Sequence, residues 1–222
     1  MTAPLATVSL TAEAPTTGDI AAIARRGAHV AVSPEVEARI LAARAVVDRY
    51  AASDVPVYGL TTGLGAGVDT RLAAEDLVAF QRRVPEGRAV GVGPALPREV
   101  VRAMMAARIA GMATGGSGVS LPVFAGLVAA LNAGVHPVVP ALGSIGAADL
   151  APLAHMGRAL LGDGEAEFGG AVMPAAEVLR RAGLEPLPLA PRTATPSSSP
   201  TACRSARPAS AWRTSNGCSA GR

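Results

Sequence analysis

A glycine-rich turn that runs directly into an amphipathic helix, in residues 140–162 (PALGSIGAADLAPLAHMGRALLG), constrains the fold of this chain most strongly. Asp149 is suited to cap the helix, and the apolar residues after it recur at helical spacing. Pro152 falls in the first turn, where its missing N–H costs little, and Gly162 supplies a left-handed stop. The pattern predicts a flexible loop aimed at the positive end of a helix dipole, which favours developing negative charge. A plain loop-to-helix junction without chemistry is the alternative.

The composition favours a helical fold. Half of the 222 residues are apolar, but aromatic residues amount to only 3%. Such a core has to be built from Ala, Val and Leu, which suits closely packed helices. The most apolar window, residues 121–142, contains Asn132, His136 and three prolines, so it predicts a buried helix and loop rather than a membrane span. No basic amino-terminal region leads into an apolar stretch, and we expect a cytoplasmic protein without a secretory signal.

The formal charge of +3 is unevenly distributed along the chain. All 17 acidic residues precede Arg192, and so do 15 of the 20 arginines, which leaves residues 1–191 with a net charge of −2. The basic excess therefore belongs to the tail, and we predict no nucleic-acid partner. Both cysteines, Cys203 and Cys218, lie in the same tail, where neither disulfide nor metal-site spacing can be argued.

Further helices are predicted where apolar residues recur at helical spacing between capping residues, prolines or glycines. These helices lie in residues 19–26, in the stretch that begins at Ser33 and Pro34, in residues 75–93, where the helix leads into RAVGVG, in the stretch that begins at Pro97, in residues 123–132 and in residues 174–182. Residues 163–168 (DGEAEF) indicate a polar hairpin or turn instead.

Residues 55–67 (VPVYGLTTGLGAG) form the second informative stretch. Gly63, Gly65 and Gly67 follow the spacing G-x-G-x-G, and no acidic residue stands at the end of a second strand, so they do not match a dinucleotide-binding loop. Tyr58 has glycine beside it and can swing into a cleft, where neighbours would have to favour the loss of its phenolic proton before it could take one from a ligand. The alternative is a tyrosine that anchors a loop to the core.

Two sequence motifs resemble the signatures of the aromatic amino acid ammonia-lyases, the histidine and phenylalanine ammonia-lyase family. They are YGLTTGLG, and GSIGAADLAPLAH with HPVVP before it and ALLGDGEAEFGG after it. The resemblance covers residues 30–191. It implies a mainly α fold with short loops and minor β structure, a homotetramer with active sites built from several subunits, and elimination of ammonia from histidine or an aromatic amino acid. Residues 1–191 would form the amino-terminal region of such a lyase.

The resemblance also implies a prosthetic group that this chain is poorly equipped to form. In the family the loop contains Ala-Ser-Gly, which cyclises to methylidene-imidazolone (MIO): the serine β-carbon becomes the methylidene and the unhindered glycine nitrogen closes the ring. Here Ala147, Ala148 and Asp149 replace Ala-Ser-Gly-Asp, one residue short and with no hydroxyl to eliminate. Ser144 is the only nearby hydroxyl, and the branched side chain of Ile145 would crowd the attacking nitrogen. We therefore expect no cofactor here.

Site residues follow from the resemblance residue by residue. Tyr58 corresponds to the family's catalytic acid or base, residues 147–149 to the place of the electrophile, and Gly65 to the substrate-binding glycine loop. Arg88 stands where the family usually has a histidine that touches the substrate's side chain. Its planar cationic fork suits a carboxylate or phosphate better than an imidazole, and the alternative is a solvated arginine at a helix end. An asparagine that the family commonly has is Ala110 here.

His136 and His155 are the remaining candidates for metal binding. No carboxylate or cysteine keeps metal-site spacing with them, so we expect satisfied core or loop histidines and no metal.

Three functions remain open from the sequence. The first is an ammonia-lyase or a close variant acting on a small amino acid. The second is a family member without the electrophile that binds a ligand or a partner subunit. The third is a truncated fragment without a function of its own. The family words favour the first, the missing serine favours the second, and the tail favours the third.

The tail, residues 192–222, differs sharply from the rest of the chain. It contains no acidic residue and no Leu, Val or Ile, although it follows directly on GLEPLPLAP. We expect a frameshifted translation, because a shifted reading frame permits the string DGYALIIANGV, which resembles the family's next segment. A genuine disordered tail rich in Ser, Pro and Arg is the alternative, and the nucleotide sequence decides between them.

Overall fold

The computed structural model describes residues 6–67, 69–144, 146 and 150–189. Helices dominate this part of the chain, which confirms the prediction of a mainly α protein with minor β structure. The described helices are α1 (Thr17–Arg26), α2 (Pro34–Ala51), α3 (Leu77–Arg88), α4 (Arg98–Ala113), α5 (Leu121–Ala133), α6 (Leu150–Leu160) and α7 (Ala175–Arg181). The strands are β1 (Thr7–Leu10), β2 (His29–Val32), β3 (Val92–Ala95), β4 (His136–Pro137), β5 (Pro140–Leu142), β6 (Glu165–Phe168) and β7 (Ala171–Pro174).

Local sequence signals account for several helix ends. The side chain of Ser33 accepts a hydrogen bond from the N–H of Val36 and caps α2, and Pro34 occupies the first turn. Gly162 and Gly183 follow α6 and α7 with φ angles of 88° and 68°, the left-handed conformation that glycine adopts without strain. The predicted start of α2 and the predicted stop at Gly162 are therefore confirmed.

The helix predicted in residues 75–93 is α3, which ends at Arg88 where RAVGVG begins. Strand β3 follows and runs antiparallel to β5, which the sequence did not indicate. Glycines at 87, 91 and 93 lower the helix propensity of this segment, and pairing with β5 satisfies its backbone instead. Strand β3 matters because it connects the end of α3 to the strand that precedes the glycine-rich loop.

The core is organised around α4, which packs against α1, α2 and α5. Ten of its residues are buried, among them Met104 and Met105 at 0% exposure. Strands β1 and β2 pair in parallel across α1, and the side chain of Asn132 on α5 completes this small sheet. Its amide accepts from the N–H of Val30 and donates to the carbonyl of Val30, both at 2.9 Å.

The other strands form two small antiparallel sheets beside α6. One pairs β3 with β5, and the other has the order β4-β6-β7, in which β6 and β7 make the hairpin predicted near residues 163–168. Helix α6 packs against α3, and Gly143, where the loop before α6 begins, lies against Gly91, directly before β3. Within the described ranges no helix is long and apolar enough to cross a membrane.

Candidate functional site

Tyr58 and Gly65 lie side by side in the segment between α2 and α3. The backbone N–H of Gly65 donates a hydrogen bond to the Tyr58 hydroxyl oxygen at 3.0 Å. Tyr58 is nevertheless 56% exposed, and its hydroxyl keeps a proton that it can donate to a ligand. The structure thus brings together two residues that the sequence singled out.

Buried threonines hold the backbone on either side of this pair. The Thr61 hydroxyl accepts from the N–H of Val57 at 2.8 Å and donates to the carbonyl of Val55 at 2.9 Å. Thr62 is buried as well, and its backbone forms an isolated antiparallel β-bridge with Arg71. The turn that carries Tyr58 is therefore fixed to the protein by its backbone, while the phenol faces solvent.

Two glycines of this loop are required, one by close approach and one by backbone conformation. A Cβ at Gly63 would stand 2.6 Å from the carbonyl oxygen of Gly67, far inside contact distance. Gly65 has a φ of +60°, which a side chain disfavours. Gly63 and Gly65 thus have a structural cause that requires no bound phosphate.

The second part of the site is the stem of the loop before α6. The backbone N–H of Gly91 donates to Nε2 of His155 at 3.1 Å, so the imidazole is neutral with its proton on Nδ1. Burial, followed by the positive charge of Arg158, lowers the pKa of His155 and favours this neutral form. The expectation of a satisfied histidine is confirmed at this position, although its partner could not be read from the sequence.

The stem is closely packed around that hydrogen bond. A Cβ at Gly143 would lie 3.0 Å from the Cα of Gly91 and 3.2 Å from the Cβ of Ala151. Farther along the loop, the Ser144 hydroxyl oxygen accepts from the N–H of Gly146 at 3.2 Å. Ala147, Ala148 and Asp149, which the sequence placed at the reacting position, lie outside the described residues. Their roles, and the capping of α6 by Asp149, stay predictions.

Arg88 is half-buried at the last turn of α3 and lines a cavity of about 70 Å³ among α3, α4, α5 and α6. The described walls of the cavity are apolar apart from Arg88 and Arg108. Burial lowers the pKa of Arg108. Tyr58 and Gly65 do not line this cavity, so the structure does not group Arg88 with them.

A buried polar cluster was missed by sequence reasoning. Arg102 on α4 is 7% exposed and donates to the carbonyls of Ile23 and Leu131, at 2.9 and 3.1 Å. It also contacts Nε2 of His136 at 3.0 Å. An arginine within the apolar pattern of α4 was the only signal, and the sequence did not identify its partners. Among the described residues, no group of three or more His, Cys, Asp or Glu side chains could hold a metal ion.

Comparison with known proteins places these features in a family. The family model for aromatic amino acid lyases matches residues 16–217. The histidine ammonia-lyase of Symbiobacterium thermophilum is 45% identical over 172 residues, which are 77% of this chain and 34% of that protein. The histidine ammonia-lyase of Sorangium cellulosum is 46% identical over 176 residues, 78% of this chain and 34% of that protein. The chain thus spans about a third of the length of these curated relatives.

Solved structures show the same fold. Ergothionase from Treponema denticola superposes with a TM-score of 0.84 at 30% identity, covering 87% of this chain and 39% of that one. Histidine ammonia-lyase from Trypanosoma cruzi gives a TM-score of 0.78 at 32% identity, covering 85% of this chain and 37% of that one. The described helices and strands thus correspond to somewhat more than a third of each of these solved chains.

Proposed function

Because the chain belongs to the aromatic amino acid lyase family, we propose that it forms part of an ammonia-lyase-type site for a small amino-acid-like ligand, with elimination of ammonia impaired. The observation that supports the site is the exposed Tyr58 hydroxyl held by the Gly65 N–H. A phenol fixed by a backbone donor and open to solvent is placed to pass a proton to or from a bound ligand.

The impairment follows from the chemistry of the 143–149 loop. Formation of MIO requires a serine hydroxyl to eliminate and an unhindered glycine nitrogen, and Ala147, Ala148 and Asp149 offer neither. Ser144 is a poor substitute, because its oxygen accepts from the N–H of Gly146 and Ile145 follows it. These residues therefore do not fit the group.

Intact mass spectrometry of the purified chain, together with an assay for the conjugated product, tests this function. We expect the mass calculated from the sequence and no product from histidine, phenylalanine or tyrosine. A mass lower by two waters, or accumulation of the conjugated acid, would show that the electrophile forms by another route and would overturn the proposed impairment.

A second candidate function is ligand binding without chemistry, which Arg88 and Arg108 in one otherwise apolar cavity favour. A dicarboxylate or a phosphorylated ligand should then raise the melting temperature of the chain, because it binds only the folded state. Arg88→Met should abolish this rise, and Arg82→Met, at an exposed position of the same helix, should preserve it. If no such ligand raises the melting temperature, the fragment without function of its own is favoured.

We also propose the assembly and compartment that the family resemblance implies, a homotetramer in the cytoplasm. Light scattering on the purified chain tests the first, with a mass of four chains expected, and fractionation of the producing cells tests the second.

A further inference from the structure

We propose that His155 is a positioning residue that holds the stem of the 143–149 loop against the segment following Arg88, through its hydrogen bond to Gly91. The inference rests on the proposed function, since that function makes this loop part of the ligand site.

The hydrogen bond joins two elements that are distant in sequence. His155 lies on α6, which follows the loop, and Gly91 lies directly before β3, 64 residues earlier. Strand β3 pairs with β5, with Val92 opposite Leu142, and β5 leads into Gly143. The loop is thus flanked by two elements that both contact this segment. Strand β5, before the loop, pairs with β3, and α6, after the loop, accepts the Gly91 N–H through the imidazole of His155.

Close backbone packing makes this connection specific. A Cβ at Gly91 would lie 3.1 Å from Nε2 of His155 and 3.2 Å from the carbonyl oxygen of Leu142. A Cβ at Gly143 would lie 3.0 Å from the Cα of Gly91. The strand exit, the start of β3 and the imidazole therefore meet at one point, where an N–H group needs an acceptor at the reach of a histidine Nε2.

The same bond relates the loop to Arg88. Arg88 ends α3, and only Ala89 and Val90 separate it from Gly91. Helix α3 packs against α6, so the stem at Gly143 and the end of α3 that carries Arg88 share one support. The bond accepted by the imidazole fixes the stem relative to the end of α3; without an acceptor, the Gly91 N–H and the stem are released together.

Three substitutions at one site separate positioning from general packing. The side-chain oxygen of His155→Gln stands as many bonds from Cα as Nε2 does, whereas that of His155→Asn is one bond shorter and His155→Leu has no acceptor. We expect exchange of the Gly91 amide, measured by NMR, to accelerate about tenfold in the Leu and Asn variants, and to return close to the original rate in the Gln variant. Exchange in residues 143–146 should follow the same order, while amides of α4 stay unchanged.

Equal Gly91 exchange in the unsubstituted chain and in all three His155 variants would refute the positioning role. Faster exchange spread uniformly over α4 and the loop would refute it as well. His29→Leu, at an exposed histidine on β2, serves as the control and should leave Gly91 exchange unaltered. Exchange is measured without ligand, so a failure of the proposed ligand site would appear in the melting and product assays and not in these rates.

Discussion

The guanidinium of Arg102 on α4 donates to Nε2 of His136 at 3.0 Å, in a place where both residues are buried. The same arginine donates to the carbonyls of Ile23 and Leu131, which lie in the last turns of α1 and α5. His136 must therefore be neutral with its proton on Nδ1, because a protonated imidazole has no acceptor to offer. One side chain thus joins α1, α5 and β4 to the central helix.

The pH dependence of stability follows from this pair. Burial first, and the charge of Arg102 second, lower the pKa of His136 from 6.5 to about 4. Between these values the unfolded chain binds a proton that the folded chain does not, so the free energy of unfolding falls as the pH falls from about 6.5 to about 4. The loss from this residue is on the order of 2 to 3 kcal/mol, and it is absent above pH 6.5.

Denaturant melts at several pH values check this expectation. His136→Gln keeps an acceptor for Arg102 but does not titrate, so its stability should decline less over the same range. In that variant the lowered pKa of His155 still makes the free energy of unfolding decline somewhat as the pH falls. His29→Gln, at an exposed site, should retain the full slope; an unchanged slope in the His136 variant would contradict the assignment.

Removing the buried arginine should destabilise the chain strongly. Arg102→Met keeps most of the aliphatic volume but leaves two carbonyls and an imidazole without their donor, and we expect a loss of roughly 3 to 5 kcal/mol. The matched change Arg98→Met lies one turn earlier on α4 and removes only a partly exposed ion pair with Glu167, so we expect a much smaller cost than for Arg102→Met. If the two variants lost the same free energy of unfolding in urea, the buried hydrogen bonds of Arg102 would contribute no more than the exposed ion pair of Arg98.

The glycine loop offers a second matched pair. Gly63→Ala would bring its Cβ to 2.6 Å from the carbonyl of Gly67, and because backbone cannot give way cheaply we expect a loss of about 1 to 3 kcal/mol. Gly67→Ala meets nothing within 4 Å, and its stability should change by less than about 1 kcal/mol. Thermal melting distinguishes the two, and the steric account would be wrong if Gly67→Ala were the more harmful substitution.

Tyr58 should matter for the ligand more than for the fold. Tyr58→Phe removes a hydroxyl that accepts one exposed hydrogen bond, so the free energy of unfolding should fall by less than about 1 kcal/mol. The melting shift caused by histidine, phenylalanine or tyrosine should disappear in this variant. Tyr50→Phe, on α2, removes the same phenolic hydroxyl at a different position and should keep the melting shift. Loss of the shift in both variants would argue against a specific role for Tyr58.

Local features of this protein were predictable because they depend on neighbouring residues. The cap of α2 at Ser33, the glycine stop after α6 and the hairpin of β6 and β7 each follow from a short run of sequence. The family words around Tyr58 and in the 143–149 loop likewise stand in contiguous stretches, and the comparisons confirm the family they indicate. Strand β3 was not predicted, because it pairs with β5, a partner some 45 residues away that helical periodicity does not reveal.

By itself, the sequence determined the helical class, most helix boundaries, the family and the absence of Ser-Gly from the loop, since each is a property of residue type or short-range order. Only the tertiary structure decided that Gly65 meets Tyr58, that Arg88 lines a cavity with Arg108, and that two histidines accept bonds from Gly91 and Arg102. Those contacts join residues up to 64 positions apart, as between Gly91 and His155. Which donor meets which acceptor over such separations depends on how the helices pack, and a pattern of residue types does not encode it locally.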